Sequence, residues 1–163
     1  MERKYSIKKI ISHDYATMLS FICFVIMAVF MAEIYFVGYS FSKRGLEFVN
    51  VPVEERFSYC CILGGLCLIG LIGFVLRINI IKSYFRNGIE AKGTITELMY
   101  WRDRGRITFR YGMEGNEYVG NLPIHTTKAT ANLGKNDEVK VLVKPENHKK
   151  AIIMDIFEDK RFC

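Results

Sequence analysis

The sequence predicts an α+β membrane protein: two transmembrane helices arranged as a helical hairpin, followed by a small five-stranded antiparallel β-barrel-like domain. Three observations carry this. The run from Tyr59 to Ile81 is apolar and holds no charge before Arg77, so a helix over Tyr59 to Leu76 rises about 27 Å, close to the hydrocarbon thickness of a bilayer. A second apolar run, Ala16 to Phe36, precedes it. From Ile89 the spacing of apolar residues changes from helical to alternating, as half-buried strands require.

Half of the 163 residues are hydrophobic, and they are segregated rather than spread. About 80 residues remain for a water-exposed core, enough for one compact module. The net charge of +6 comes with acids interspersed among the bases, which suits anionic lipid better than nucleic acid. Of the five cysteines, Cys23, Cys60, Cys61 and Cys67 lie in the apolar runs and Cys163 ends the chain. A disulfide framework would instead punctuate a small exposed domain.

In chain order, residues 1–14 form a basic juxtamembrane segment in which Arg3, Lys4, Lys8 and Lys9 alternate with Tyr5, Ile7, Ile10 and Ile11. Such a segment is expected to lie along lipid, bases toward headgroups and aliphatics inward. Ser12 or Asp14 can cap the helix that follows. Residues 15–37 form the first span, too long for a signal-peptide core. Glu33 falls one turn from its far end, where a carboxylate can reach water. Residues 38–58 form an extracytoplasmic loop, and residues 59–88 the second span with a cytoplasmic extension. Four bases precede the first span and four follow the second (Arg77, Lys82, Arg86, Lys92), against Lys43, Arg44 and Arg56 in the loop, so both termini are expected in the cytoplasm. Lys82 and Arg86, four apart, share a helix face and can both reach lipid phosphates. Asn87-Gly88 ends the helix.

Residues 89–158 hold the five strands, with 159–163 as a tail. Glu90 to Tyr100 is the first strand, with Ala91, Gly93, Ile95, Glu97 and Met99 on one face. After the turn at residues 102–105 come Arg106 to Met113 and, beyond the tight turn Glu114-Gly115-Asn116, Glu117 to Leu122, which Pro123 is expected to end. Ile124 to Lys135 reads as a polar connection. Glu138 to Val143 and Ala151 to Ile156 complete the set.

Small residues at four-residue spacing let helices approach closely. Cys61, Gly65 and Gly73 share a face of the second span, and Ala28 and Ala32 repeat the spacing in the first. The two spans are expected to pack there, or copies of the chain to form a homo-oligomer through it.

No enzyme constellation emerges. His13, His125 and His148 lack metal-ligand spacing, no nucleophile motif accompanies the serines or cysteines, and the glycines form no phosphate loop. No cofactor, metal or catalytic residue is expected. The most pointed surface signal is Trp101 with Arg102, Arg104 and Arg106, a hairpin able to meet headgroups or a protein partner. Nearby acids dilute it as a nucleic-acid funnel.

Gly93-Thr-Ile-Thr, Ile107-Thr-Phe-Arg-Tyr-Gly-Met-Glu-Gly-Asn-Glu-Tyr, Leu133-Gly-Lys-Asn-Asp-Glu-Val-Lys-Val and Lys144-Pro-Glu-Asn-His follow the spans in order. This series resembles the bacterial membrane-protein family called domain of unknown function 3592, over about residues 59 to 157. Lys144, His148 and Phe109 depart from its pattern, standing where an aromatic, a proline and a tyrosine are usual. The resemblance implies the strands and turns of the β module and supplies no catalytic residues.

The reading that results is a non-enzymatic protein of the inner (plasma) membrane whose cytoplasmic β module is a membrane-proximal interaction platform. One alternative is an immunity or accessory protein that neutralises a membrane-acting toxin through its spans. The other is a thiol- or proton-handling protein using Cys60, Cys61 and Glu33.

Overall fold

In the computed structural model the structure describes residues 5–41 and 48–158. Arg3 and Lys4 of the basic segment, Lys43 and Arg44 of the loop, and the tail at 159–163 lie outside the described residues. The layout is α+β: two long apolar helices, then a five-stranded antiparallel sheet that curls into a nearly closed barrel. The chain divides into two compact units, Met1–Met18 with Leu76–Cys163, and Leu19–Val75.

In the first unit, helix α1 (Ile7–His13) leads into the start of α2 (Tyr15–Phe36). Asp14 joins them as the predicted cap. Its extended backbone breaks the helix, and its carboxylate accepts the Thr17 N–H at 2.9 Å and the Thr17 hydroxyl at 2.7 Å. The aliphatic residues of α1 divide: Ile7 is 48% exposed, whereas Ile10 turns toward the sheet. Ile10 is fully buried in the β-domain core, and Lys9 donates to the backbone carbonyl of Glu158. The Ser6 N–H also bonds to the Phe157 carbonyl, so α1 is a clasp on the β domain.

The sheet comprises β3 (Ile89–Trp101), β4 (Arg104–Met113), β5 (Asn116–His125), β6 (Glu138–Lys144) and β7 (Asn147–Ile153), in the order β5-β4-β3-β6-β7. Glu114 and Gly115 both take positive φ, so their two-residue hairpin matches the strand twist. β5 does not stop at Pro123 but runs to His125. It is a terminal strand, needing hydrogen bonds on one side alone, so the missing proline N–H can face the open edge. The connection that follows contains a short helix, α4 (Lys128–Ala131), closed by a capping box between Thr127 and Thr130.

The last strand also differs from expectation. It ends at Ile153, and Met154–Phe157 turns into a one-turn helix, α5. That turn buries Met154, Ile156 and Phe157, while the Asp155 carboxylate accepts the Lys140 N–H at 2.8 Å. Ile95, Ile107, Phe109, Tyr111, Val141 and Ile153 fill the barrel. Ile81, Tyr84 and Phe85, from the last turns of the second long helix, join the same core. Each such burial contributes about 1.5–3 kcal/mol, so the sheet holds that helix root by packing.

The second unit carries most of the two long helices. α3 (Val53–Asn87) begins six residues before the predicted span, and its first turn carries Glu54 and Glu55 at the positive end of the helix dipole. Between the helices, β1 (Tyr39–Phe41) and β2 (Phe48–Asn50) form a two-stranded ladder inside the region expected to be a plain loop. Both long helices are long and apolar enough to cross a membrane.

Candidate functional site

The strand face carrying Trp101 is set by a β-bulge. Ile95 pairs with Phe109, yet Glu97 pairs with Thr108, so Thr96 is the extra residue. Beyond it every side chain changes face. Ile95 points into the core as expected, but Glu97 and Met99 do not follow it. Leu98 turns inward instead, and the Tyr100 hydroxyl donates to the Thr130 carbonyl at 2.7 Å. Burial raises the Tyr100 pKa. Met99 and Trp101 are thereby moved to the outer face, where Trp101 is 53% exposed.

The same face of β4 carries Arg104 and Arg106, opposite Trp101 and Met99 in register. Three of the four residues singled out from the sequence, Trp101, Arg104 and Arg106, are therefore brought together. Arg102 sits in the turn with φ +49°, and the Thr126 N–H holds the Asp103 carbonyl at 2.8 Å, fixing the tip. Arg110, further along β4, pairs with Glu117 at 3.5 Å; among the described residues neither Arg104 nor Arg106 pairs with a carboxylate. A hollow of about 630 Å³ separates this hairpin from Tyr15, the first residue of α2. The arrangement offers an exposed indole, a thioether and two free guanidinium groups beside the root of an apolar helix. Arginine and tryptophan in this combination suit contact with a protein surface or a headgroup layer.

Beside this patch lies an ion pair that the sequence reading missed. Arg77 Nε and Nη2 donate to the two carboxylate oxygens of Asp14 at 3.0 and 2.7 Å. Asp14 is fully buried, and the Arg77 side chain keeps 26% exposure. A signal existed: Asp14 is the last charge before the first apolar run and Arg77 the first within the second, so an antiparallel hairpin places them at one level. A third polar cluster joins α1 to the connection after β5. The Thr127 hydroxyl lies 3.1 Å from His13 Nδ1, and His125 Nδ1 lies 3.2 Å from the Ser12 carbonyl. Burial, with Lys9 and His125 nearby, lowers the His13 pKa.

No family model, curated protein or solved structure matches the chain. What the molecule can do is read from its own residues.

The small-residue face takes a different course from the expected one. Within the second unit, α2 and α3 approach along Gly64, Cys67, Gly70 and Gly73. A Cβ on Gly70 would meet the Phe24 backbone nitrogen at 3.0 Å and the Ser20 carbonyl at 3.3 Å. Gly73 faces Ser20, and Cys67 Sγ lies 3.8 Å from the Phe24 carbonyl. Gly65 has nothing within 4 Å, Cys61 and Ala32 are exposed, and Ala28 is half-buried. Gly73 thus belongs to the helix contact, while Gly65 and Cys61 lie beside it. Packing within the chain runs along a face rotated from the predicted one.

Cys60 and Cys61 are free thiols, and Glu33 is exposed within the last turn of α2. Lys82 lies 5.8 Å from the Tyr5 ring centroid, and Arg86 is exposed one turn on. Among the described residues no group of three or more His, Cys, Asp or Glu side chains is placed to hold a metal ion.

Proposed function

We propose that the chain is a non-enzymatic, two-span integral membrane protein of the plasma membrane, with both termini in the cytoplasm and a β module that acts as an interaction platform at the membrane surface. The observation that carries this is the outer face of the β3–β4 hairpin. The bulge at Thr96 turns Met99 and Trp101 outward beside Arg104 and Arg106, and Tyr15 marks the start of an apolar helix next to them. A bulge that aims side chains outward is a feature of strands that present a surface. An exposed tryptophan flanked by unpaired arginines matches the residues that dominate protein interfaces. The motif series shared with domain of unknown function 3592 fits the same strands, and membership in that family is part of this proposal.

The test is a photo-crosslinking amino acid at position 101 of the full chain in native membranes. One discrete protein adduct, lost when Arg104→Glu is combined with Arg106→Glu, is the expected result. Adducts with lipid alone, or a protein adduct indifferent to both charge reversals, would overturn the platform. Orientation has its own test: a reporter fused after Cys163 that is active only outside the cytoplasm would reverse the proposed topology.

A further inference from the structure

We propose that the crevice between the two open edges of the sheet binds a phosphate-bearing anion, supplied by the headgroup of an anionic phospholipid. β5 and β7 are the end strands of the sheet, and no ladder joins them. The gap between them is a crevice of about 310 Å³. Asn121 and Pro123 line it from β5, Lys149 and Lys150 from β7, and Ala16 and Arg77 from the roots of the long helices. Among the described residues no acidic side chain lines it.

Charge and donor chemistry select the ligand. Arg77 gives its Nε–H and one Nη2–H to Asp14, so that pair is neutral while both Nη1–H and the second Nη2–H remain as donors. Lys149 and Lys150 are consecutive, exposed, and without a carboxylate partner among the described residues. Both lysines line the crevice, so an anion there is attracted by two positive charges that no acidic lining residue offsets. Lysine binds phosphate as a point charge, and the Asn121 amide adds a neutral donor. The walls select the source. Arg77 lies on α3 beside Leu76 and Ile80, which are exposed and apolar, so a lipid whose headgroup is held here can lay acyl chains against their surface. A free phosphate gains nothing from that surface. This site rests on the membrane insertion proposed above.

The test uses the full chain, first reconstituted into phosphatidylcholine nanodiscs and then examined in detergent by native mass spectrometry with phosphatidylglycerol, phosphatidylcholine or inorganic phosphate. Expected is selective retention of phosphatidylglycerol. The Lys149→Gln/Lys150→Gln variant should weaken it about thirtyfold, close to fivefold for each lysine removed from an anionic contact. Lys128→Gln with Lys135→Gln removes the same charge from exposed positions outside the crevice and should leave retention unchanged. Equal retention of phosphatidylcholine, or undiminished binding by the Lys149/Lys150 variant, would overturn the site. Preference for inorganic phosphate would overturn the lipid as its source. A chain that fails to enter nanodiscs overturns insertion and the lipid site together; one that enters without lipid selectivity overturns this site alone.

Discussion

Breaking the Asp14–Arg77 pair from either side should cost unequally, because the two partners are buried unequally. Removing one member of a buried pair costs about 3–5 kcal/mol, chiefly by stranding the other charge. Arg77→Leu strands Asp14, which has no exposure at all and keeps only the Thr17 N–H and hydroxyl as donors. A loss of about 4 kcal/mol follows, a fall of roughly 10 °C in melting temperature for a chain of this size. Asp14→Asn strands Arg77, which can recover water through its 26% exposed side chain. Asparagine also still caps α2, so the cost is nearer the value of a hydrogen bond to a charged group, about 2 kcal/mol. Asp14→Ala removes the cap too, at about 1 kcal/mol more. The double variant Asp14→Asn/Arg77→Leu leaves no stranded charge and should lose about 2 kcal/mol less than the two single losses combined. The assay is thermal unfolding of the full-length protein in detergent, followed by fluorescence of Trp101, the one tryptophan of the chain. A coupling below about 0.5 kcal/mol, or equal losses from Arg77→Leu and Asp14→Asn, would refute the reasoning.

Gly70→Leu should force α2 and α3 apart, since its Cβ would press on the Phe24 backbone, at a cost of about 1–3 kcal/mol or more; Gly65→Leu meets open space and should leave intrachain packing unchanged. Crosslinking of cysteines placed along the two helices would show both outcomes, and a shift in oligomeric state for Gly65→Leu would reveal contact between copies. Gly120→Val should destabilise the barrel by a similar amount, because the Phe109 ring lies over that glycine from the paired position on β4 and a Cβ would clash with Phe109 Cζ. Chemical denaturation of the purified protein measures it. Stability should also fall with acid. His13 has a pKa below 6.5 in the folded chain, so between that lowered value and 6.5 the unfolded chain binds a proton that the folded chain refuses. Melting temperatures at pH 7.5 and 5.5 should differ less for His13→Gln than for the natural chain.

Much of the fold was legible because its signals are local. Two apolar runs of about twenty residues favour helices that satisfy their own backbone, and α2 and α3 fall on them. Alternation after Ile89 marks five strands, and Glu114-Gly115 supplies the positive φ that the hairpin needs. The residues of the candidate surface, Trp101, Arg104 and Arg106, stood out in the sequence by type alone.

Which way they point did not. Alternation in the sequence puts Ala91, Gly93, Ile95, Glu97 and Met99 on one face, but the bulge at Thr96 shifts the phase there and exchanges Met99 for Leu98 in the core. Tertiary structure likewise decided that Ile10 packs on the sheet, that Pro123 stays in β5 and that the helix contact runs through Gly70. It also paired Asp14 with Arg77 across 63 positions. Periodicity reports which residues share a face of one element. The partner that face meets, and the register in which it meets it, are set by contacts distant in the chain.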